Sequence, residues 1–244
     1  MKRFYVSQLQ IEKGVTKVEG SEARHIRKIL RLKPGDEVIL FNGSTQQYLG
    51  TIIEDHSNSV TIRIQKILPS QSESPLEVTL AQSLLKGEKM DYLIQKATEL
   101  GVRRVIPFLS SRSIPRLDES QLFRRQQRWE KIAIEASKQC GRGIIPSVDP
   151  LQDYSNLLKN APNEALRLLL WEKEGVRLKD FLRGLTEKKE VFFVVGPEGG
   201  LSKEEVIQAE QFGFIPVFLG ERILRAETVS LCILSILQYE WGDL

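Results

Sequence analysis

Two cysteines, two histidines and no long apolar run set the first limits on this chain of 244 residues. Cys140 and Cys232 do not form a CxxC pair, and Cys232 lies in an apolar helical run. Two reduced structural thiols are therefore expected, rather than a disulfide framework or a zinc site. A His-based metal centre would need both His25 and His56 together with carboxylates, so no metal is expected. The longest apolar stretch, Val229 to Leu237, is too short to span a bilayer, and the opening MKRFYVSQLQIEK lacks the apolar core of a secretory signal. These absences predict a cytoplasmic protein with no membrane contact. Repeats and low-complexity tracts are also missing, and 41% hydrophobic with 27% charged residues is the balance of a folded globular chain. Its length suits one large α/β domain or a medium domain carrying a smaller one.

The net charge of +3 says little about partners, but its distribution says more. Residues 1–35 hold nine Lys or Arg against three acids, a basic end suited to a polyanion. Within it, Ser21, Glu22 and the run ARHIRKIL predict a short capped helix that buries Ile26, Ile29 and Leu30. Arg24, Arg27, Lys28 and Arg31 project from its other side and are the candidate RNA-binding residues, with a solvated helix face as the competing reading.

After the Pro34-Gly35 turn, strands are predicted at Asp36 to Phe41, Gln47 to Glu54 and Val60 to Ile67, which suggests a small barrel-like module. The polar, proline-bounded segment Pro69 to Pro75 is the best linker candidate. Beyond it, strands near Leu76 to Gln82, Val102 to Phe108, Leu166 to Trp171, Glu190 to Val195 and Phe214 to Leu219 alternate with helices near Glu88 to Leu100, Glu119 to Gln139, Lys203 to Phe212 and Glu227 to Glu240. Such alternation predicts a largely parallel sheet with helices on its faces. The last helix carries Val229, Leu231, Cys232, Ile233, Leu234, Ile236 and Leu237 in nearly every direction. It must be covered on several sides, and a homodimer is one way to cover it.

Two loops concentrate the features that point to a ligand. In VFFVVGPEGGLSKEE, residues 191–205, an apolar strand runs into a glycine loop and then into a helix opened by Ser202, with Glu205 placed to complete a capping box. Gly196, Gly199 and Gly200 let the chain turn tightly and let a flat ligand approach the main chain. The spacing is neither that of a dinucleotide fold nor that of a phosphate loop, and Glu198 would repel a pyrophosphate. A ligand without phosphate, or one with positive charge, suits this loop better; an ordinary tight connection is the competing reading. The second loop, LGERILRAET at 219–228, crowds Arg222, Arg225 and Glu227 at the start of an apolar helix. Those charges either pair with one another or face a cavity. Both loops leave the carboxyl ends of strands, where open α/β sheets place ligands.

GPEGG at 196–200 and LGERILRAET at 219–228 together resemble the SPOUT class of knotted methyltransferases, specifically the family that methylates N3 of a uridine in 16S ribosomal RNA. RHIRKILRLKPGD (24–36), KGEKMDYLIQKATELGV (86–102), Arg112 with Ser113, and EASKQCGR (135–142) extend the resemblance over the whole chain in order. It is weakest around Trp171 and Glu172.

The resemblance implies an α/β fold in two parts: a small N-terminal PUA-like β-barrel that binds RNA at 1–70, and a trefoil-knotted α/β methyltransferase domain at 71–244. It also implies S-adenosylmethionine as the cofactor, held by Leu170, Gly196, Pro197, Glu198, Gly199, Gly200, Leu219, Gly220, Ile223, Leu224 and Arg225. The implied partner is ribosomal RNA, naked or within the assembled small subunit. Methylating the imide nitrogen requires removing its proton, which assigns Arg225 to the uridine anion and Glu227 to the proton or to holding Arg225. Arg112 and Arg142 are candidates to supply further positive charge. The alternatives are a non-catalytic RNA-binding or ribosome-assembly protein, and a SPOUT methyltransferase acting on transfer RNA or another ribosomal nucleotide.

Overall fold

The computed structural model describes residues 1–70, 73–113, 118–172 and 174–244, and groups them into two compact units. The first comprises Met1–Glu73 with Ile134–Ile145, and the second Ser74–Ala133 with Pro146–Leu244.

The first unit is built on β1 (Lys2–Tyr5), β2 (Val15–Glu19), α1 (Gly20–Arg24), β3 (Glu37–Phe41), β4 (Gln46–His56) and β5 (Ser59–Pro69). Its sheet runs β1-β3-β4-β5-β2, with β1 parallel to β3 and the remaining pairs antiparallel. The three strands from 36 to 67 match their sequence expectations. The two edge strands lie in short segments whose alternation is too brief to read from sequence. Phe4, Val18, Ile26, Val38, Leu40, Ile52, Val60 and Ile62 fill the core; each large apolar side chain so buried contributes about 1.5–3 kcal/mol.

The basic segment departs from its expectation. Glu19 rather than Ser21 occupies the N-cap of α1, with no side-chain cap bond, and residues His25–Ile29 form a π-helical turn. The Leu30 amide bonds the His25 carbonyl and the Leu32 amide bonds the Ile26 carbonyl. That wider turn breaks the spacing of three that would keep Ile29 beside Ile26. Ile26 is fully buried while Ile29 is 69% exposed, so the expected burial of Ile29 is corrected. Of the expected linker, residues 71–72 lie outside the described residues. Its flanks are pinned: Ser70 bonds the Thr45 carbonyl through its amide, and Glu73 accepts from Arg142 and from the amides of Gly143 and Ile144.

The second unit contains β6 (Glu77–Ser83), α2 (Lys89–Glu99), β7 (Arg104–Leu109), the start of α3 (Glu119–Cys140), β8 (Ser147–Val148), β9 (Gln152–Asp153), α4 (Tyr154–Lys159), β10 (Leu166–Leu170), β11 (Val176–Arg177), α5 (Leu178–Arg183), β12 (Glu190–Val195), α6 (Lys203–Gln211), β13 (Ile215–Phe218) and α7 (Ala226–Trp241). The sheet order is β11-β13-β10-β12-β6-β7-β8, with β9 also on β7, and every pairing is parallel. Residues Val191–Val195 are all buried, as a strand covered on both faces requires. Tyr154, Leu157, Leu201, Val206 and Phe214 pack with Phe108, Phe192 and Val194 in one core cluster. The helix α7 packs against α2, β6 and β12 and buries Ala226, Ser230, Ile233, Leu234, Leu237 and Gln238, leaving Leu231, Cys232 and Ile236 half-covered. Among the described residues, no helix is long and apolar enough to cross a membrane and no group of three or more potential metal ligands gathers.

Candidate active site

Three neighbouring parallel strands, β13, β10 and β12, end side by side, and the loops leaving them enclose a cavity of about 650 Å³. That volume is ordinary for a small-molecule site. The position follows from topology, since the loops after parallel strands all emerge at the same sheet edge.

The first loop turns at Pro197–Gly200, where the Gly200 amide bonds the Pro197 carbonyl and Gly200 takes a φ of +68°. A side chain is costly there. At Gly196 space is the limit, because a Cβ would sit 2.9 Å from the Leu201 side chain and 3.1 Å from its amide nitrogen. At Gly199 a Cβ would meet only Arg112, at ordinary contact distance of 3.7 Å. Behind the turn, Ser202 and Glu205 form the capping box of α6, and the second Glu205 oxygen accepts from the Ser111 amide at 2.7 Å. The second loop, 219–225, enters α7 with Arg225 in extended conformation at the N-cap.

All eleven residues that the family resemblance implies for the cofactor line this one cavity: Leu170 from β10, residues 196–200 from the first loop, and Leu219, Gly220, Ile223, Leu224 and Arg225 from the second. Trp171 and Glu172, where the resemblance is weakest, line it too, as do Lys89 and Arg222. Trp171 is 8% exposed, and its indole N–H is buried without a partner among the described residues. An unsatisfied donor in a cavity wall is available to a ligand acceptor.

The remaining candidates divide. Arg225 and Arg222 are exposed on the cavity wall, and neither side chain has a hydrogen bond or ion pair among the described residues. Glu227 pairs with neither arginine. Its Oε1 lies 3.5 Å from the Lys89 ammonium, and its Oε2 is buried without a partner among the described residues. Arg112 donates to the carbonyls of Gly199 at 2.9 Å and Leu201 at 3.4 Å, which makes it a brace for the glycine loop. Arg142 belongs to the first compact unit, is 4% exposed and is paired with Glu73 at 3.1 Å. Of the four RNA-binding candidates, Arg24, Lys28 and Arg31 are exposed, whereas Arg27 is drawn into an ion pair with Asp55 and a bond to the Ser57 carbonyl.

Glu198, expected to repel anions, is itself partnered. Its Oε1 accepts from the Lys86 amide and from Lys89, both at 3.1 Å. Burial raises the Glu198 pKa, but bonds from its own amide, the Lys86 amide and Lys89 outweigh that and hold it below the usual carboxylate range. The hydrogen bond to Glu198 raises the Lys89 pKa in turn.

Sequence reasoning does not single out Lys89, Gln82 or Ser230. The fully buried Gln82 side chain donates to the Gly196 carbonyl at 3.2 Å and accepts from the Ser230 hydroxyl at 2.5 Å, joining the end of β12 to α7. The available signal is weak, since β6 and α7 each carry several polar side chains, and only burial demands that Gln82 and Ser230 be paired.

The chain is similar to known proteins over its whole length. Residues 72–238 match the model of the RNA methyltransferase domain, and residues 18–65 match that of the RNA methyltransferase PUA domain. The Ribosomal RNA small subunit methyltransferase E of Buchnera aphidicola subsp. Acyrthosiphon pisum is 34% identical over 91% of this chain and 87% of its own. The protein of that name from Bacillus subtilis is 29% identical over 98% and 97%. Among solved structures, the Neisseria gonorrhoeae Ribosomal RNA small subunit methyltransferase E bound to S-adenosylmethionine superposes with a TM-score of 0.91 at 34% identity, covering 100% of this chain and 99% of that one.

Proposed function

Because the chain belongs to the family of small-subunit ribosomal RNA methyltransferases E, we propose that it transfers a methyl group from S-adenosylmethionine to N3 of a uridine in 16S ribosomal RNA. The observation that carries this reading is the cavity at the ends of β10, β12 and β13, with a glycine loop on one side and the unpaired Arg225 on another. The residues present fit the cofactor. Leu170, Leu219, Leu224 and Val229 offer apolar surface, the Trp171 N–H offers a donor without a partner among the described residues, and the Glu172 carboxylate suits a ligand that carries positive charge.

When bound, S-adenosylmethionine supplies an electrophilic methyl group on a positively charged sulfur. The chain's own task is to make N3 nucleophilic. The protonated imide nitrogen has no free in-plane lone pair, so the proton must leave and the negative charge must be stabilised on the ring and its carbonyl oxygens. Arg225 stays charged whatever the substrate does, and we assign it to a uracil carbonyl oxygen. Glu227 takes the imide proton. Arg112 acts by holding the glycine loop through Gly199, and Arg142 by fixing Glu73 in the first unit.

The RNA-binding part is assigned to residues 1–70, as a PUA-like barrel presenting Arg24, Lys28 and Arg31 to phosphates, and the methyltransferase part to residues 71–244. The segment that follows β13 is assigned the threading of a trefoil knot, and the half-covered face of α7 the contact of a homodimer. Small ribosomal subunits, in the cytoplasm, are the proposed substrate.

Incubating the protein with S-adenosylmethionine carrying a labelled methyl group and small subunits lacking the modification tests this reading. The expected product is one N3-methyluridine per subunit, identified by nucleoside mass spectrometry. Saturable RNA binding without methyl transfer or cofactor binding would favour the non-catalytic scaffold. Methylation of transfer RNA in preference to subunits would redirect the substrate.

A further inference from the structure

The cavity wall contains two cationic side chains to which the proposed reaction gives no task, Arg222 and Lys89. Lys89 opens α2, and its ammonium reaches two carboxylates on two different walls: Glu198 on the glycine loop at 3.1 Å and Glu227 in the first turn of α7 at 3.5 Å. The Lys86 amide holds the same Glu198 oxygen, so the start of α2 grips the glycine loop by side chain and main chain together. On Glu227 the ammonium engages Oε1 only. Oε2 is buried and has no partner among the described residues, an arrangement that is costly for a carboxylate unless something else supplies a proton. Its neighbours in sequence, Arg225 and Ala226, both line the cavity. Among the described residues, Lys89 from α2 is the charged group within ion-pair distance of this carboxylate, while Glu172, Glu198, Arg222 and Arg225 line the cavity beside it in sequence or across it.

We propose that Lys89 is a positioning residue: by holding Glu227 at Oε1 it leaves Oε2 as the acceptor of the uridine imide proton, and its bond to Glu198 fixes the ammonium in place. The inference rests on the methyltransferase reading. In the step it describes, the N3–H bond breaks, the proton forms an O–H bond with Glu227 Oε2, and the electron pair stays on N3. The charge spreads to the carbonyl oxygens facing Arg225, and the proton passes to solvent before the next turnover. A lysine serves here because its compact ammonium carries several donors on one atom and can face two carboxylates at once.

The test uses the full chain with small subunits reconstituted around 16S RNA transcripts containing either uridine or 5-fluorouridine, whose ring fluorine makes the imide proton more acidic. Single-turnover rates and calorimetric S-adenosylmethionine affinity are measured for wild type, Lys89→Met, Lys89→Arg, Glu227→Gln and the double variant Lys89→Met/Glu227→Gln. Lys89→Met should slow methylation of the uridine substrate by about 10- to 100-fold while cofactor affinity stays within about threefold. Lys89→Arg should recover most of the rate. The fluorinated substrate should narrow the gap to wild type, because an easier proton needs its acceptor less. The double variant should be no slower than Glu227→Gln, since Lys89 acts through Glu227. An equal defect on both substrates, additive losses in the double variant, or cofactor affinity falling in step with the rate would each reduce Lys89 to a structural strut and overturn the proposal. Failure of the wild type to bind S-adenosylmethionine and to methylate either substrate would instead remove the methyltransferase reading itself.

Discussion

The cavity and the basic turn at residues 24–31 both present positive charge, yet they present it in opposite ways. Around the cavity, Arg222 and Arg225 are exposed without a partner among the described residues, but other charges are fixed. Lys89 is clamped between two carboxylates, Arg112 is bonded to loop carbonyls, and the polar atoms behind them are paired through Gln82 and Ser230. On the basic turn, Arg24, Lys28 and Arg31 are exposed, and only Arg27 is held. Transition-state stabilisation requires dipoles and charges already in place, whereas phosphate contacts tolerate mobile side chains because their strength comes from releasing counterions. The two basic regions thus differ in how many of their charges are held in place.

The largest expected effect would break the fixed side of that contrast. Gly196→Ala places a methyl group against Leu201 and its amide and should abolish measurable S-adenosylmethionine binding in calorimetry. Gly199→Ala, which meets only ordinary contacts, should bind normally. If both variants bound alike, tight packing at Gly196 would not be what shapes the loop for its ligand.

Arg225→Ala comes next. Loss of one charge that stabilises a developing anion slows turnover by about a hundredfold or more, with cofactor affinity changed far less. Near-normal turnover would take Arg225 out of the reaction.

On the mobile side, replacing Arg24, Lys28 and Arg31 together by alanine should weaken RNA binding and flatten its salt dependence by about 0.7–0.9 logarithmic units of slope for each phosphate no longer neutralised. Arg27→Ala should leave that slope unchanged and lower the melting temperature instead, through the loss of Asp55 and Ser57 as partners. Equal slopes for the triple variant and wild type would assign RNA binding elsewhere.

The smallest effect concerns pH. Glu198 has a folded pKa below its unfolded value of about 4.3, so the stability it contributes is complete above that value and disappears as pH falls through the lower folded one. Thermal melts between about pH 6 and pH 3 should show the wild-type advantage over Glu198→Gln shrinking at the acid end. An advantage growing on acidification would reverse the sign of the pairing.

Much of this site is legible in the amino-acid sequence. Strands such as EVFFVV and the glycine-rich turn after it are read from local rules, because burial on both faces and tight turning each restrict residue type at consecutive positions. The cavity's eleven expected residues come from a resemblance spread over two loops, which also carries Arg225 and Glu227. Lys89 is invisible in the role it takes, since nothing local to KGEKMDY distinguishes a solvated lysine from one facing two carboxylates more than a hundred residues away. Ile29 shows the reverse failure. Its spacing from Ile26 is helical, but the π-helical turn changes the angular step, and no residue type in HIRKI announces that.

By itself, the sequence determined the alternation of strands and helices, the parallel sheet, and the two loops from which a ligand site would be built, because periodicity, glycine placement and capping residues are local physical requirements. Only the tertiary structure decided which charges became partners. It set Lys89 between Glu198 and Glu227, joined Gln82 to Ser230, and gave Arg142 to Glu73, since ion pairing in a folded chain depends on which strand ends and helix starts the sheet order brings within a few ångströms.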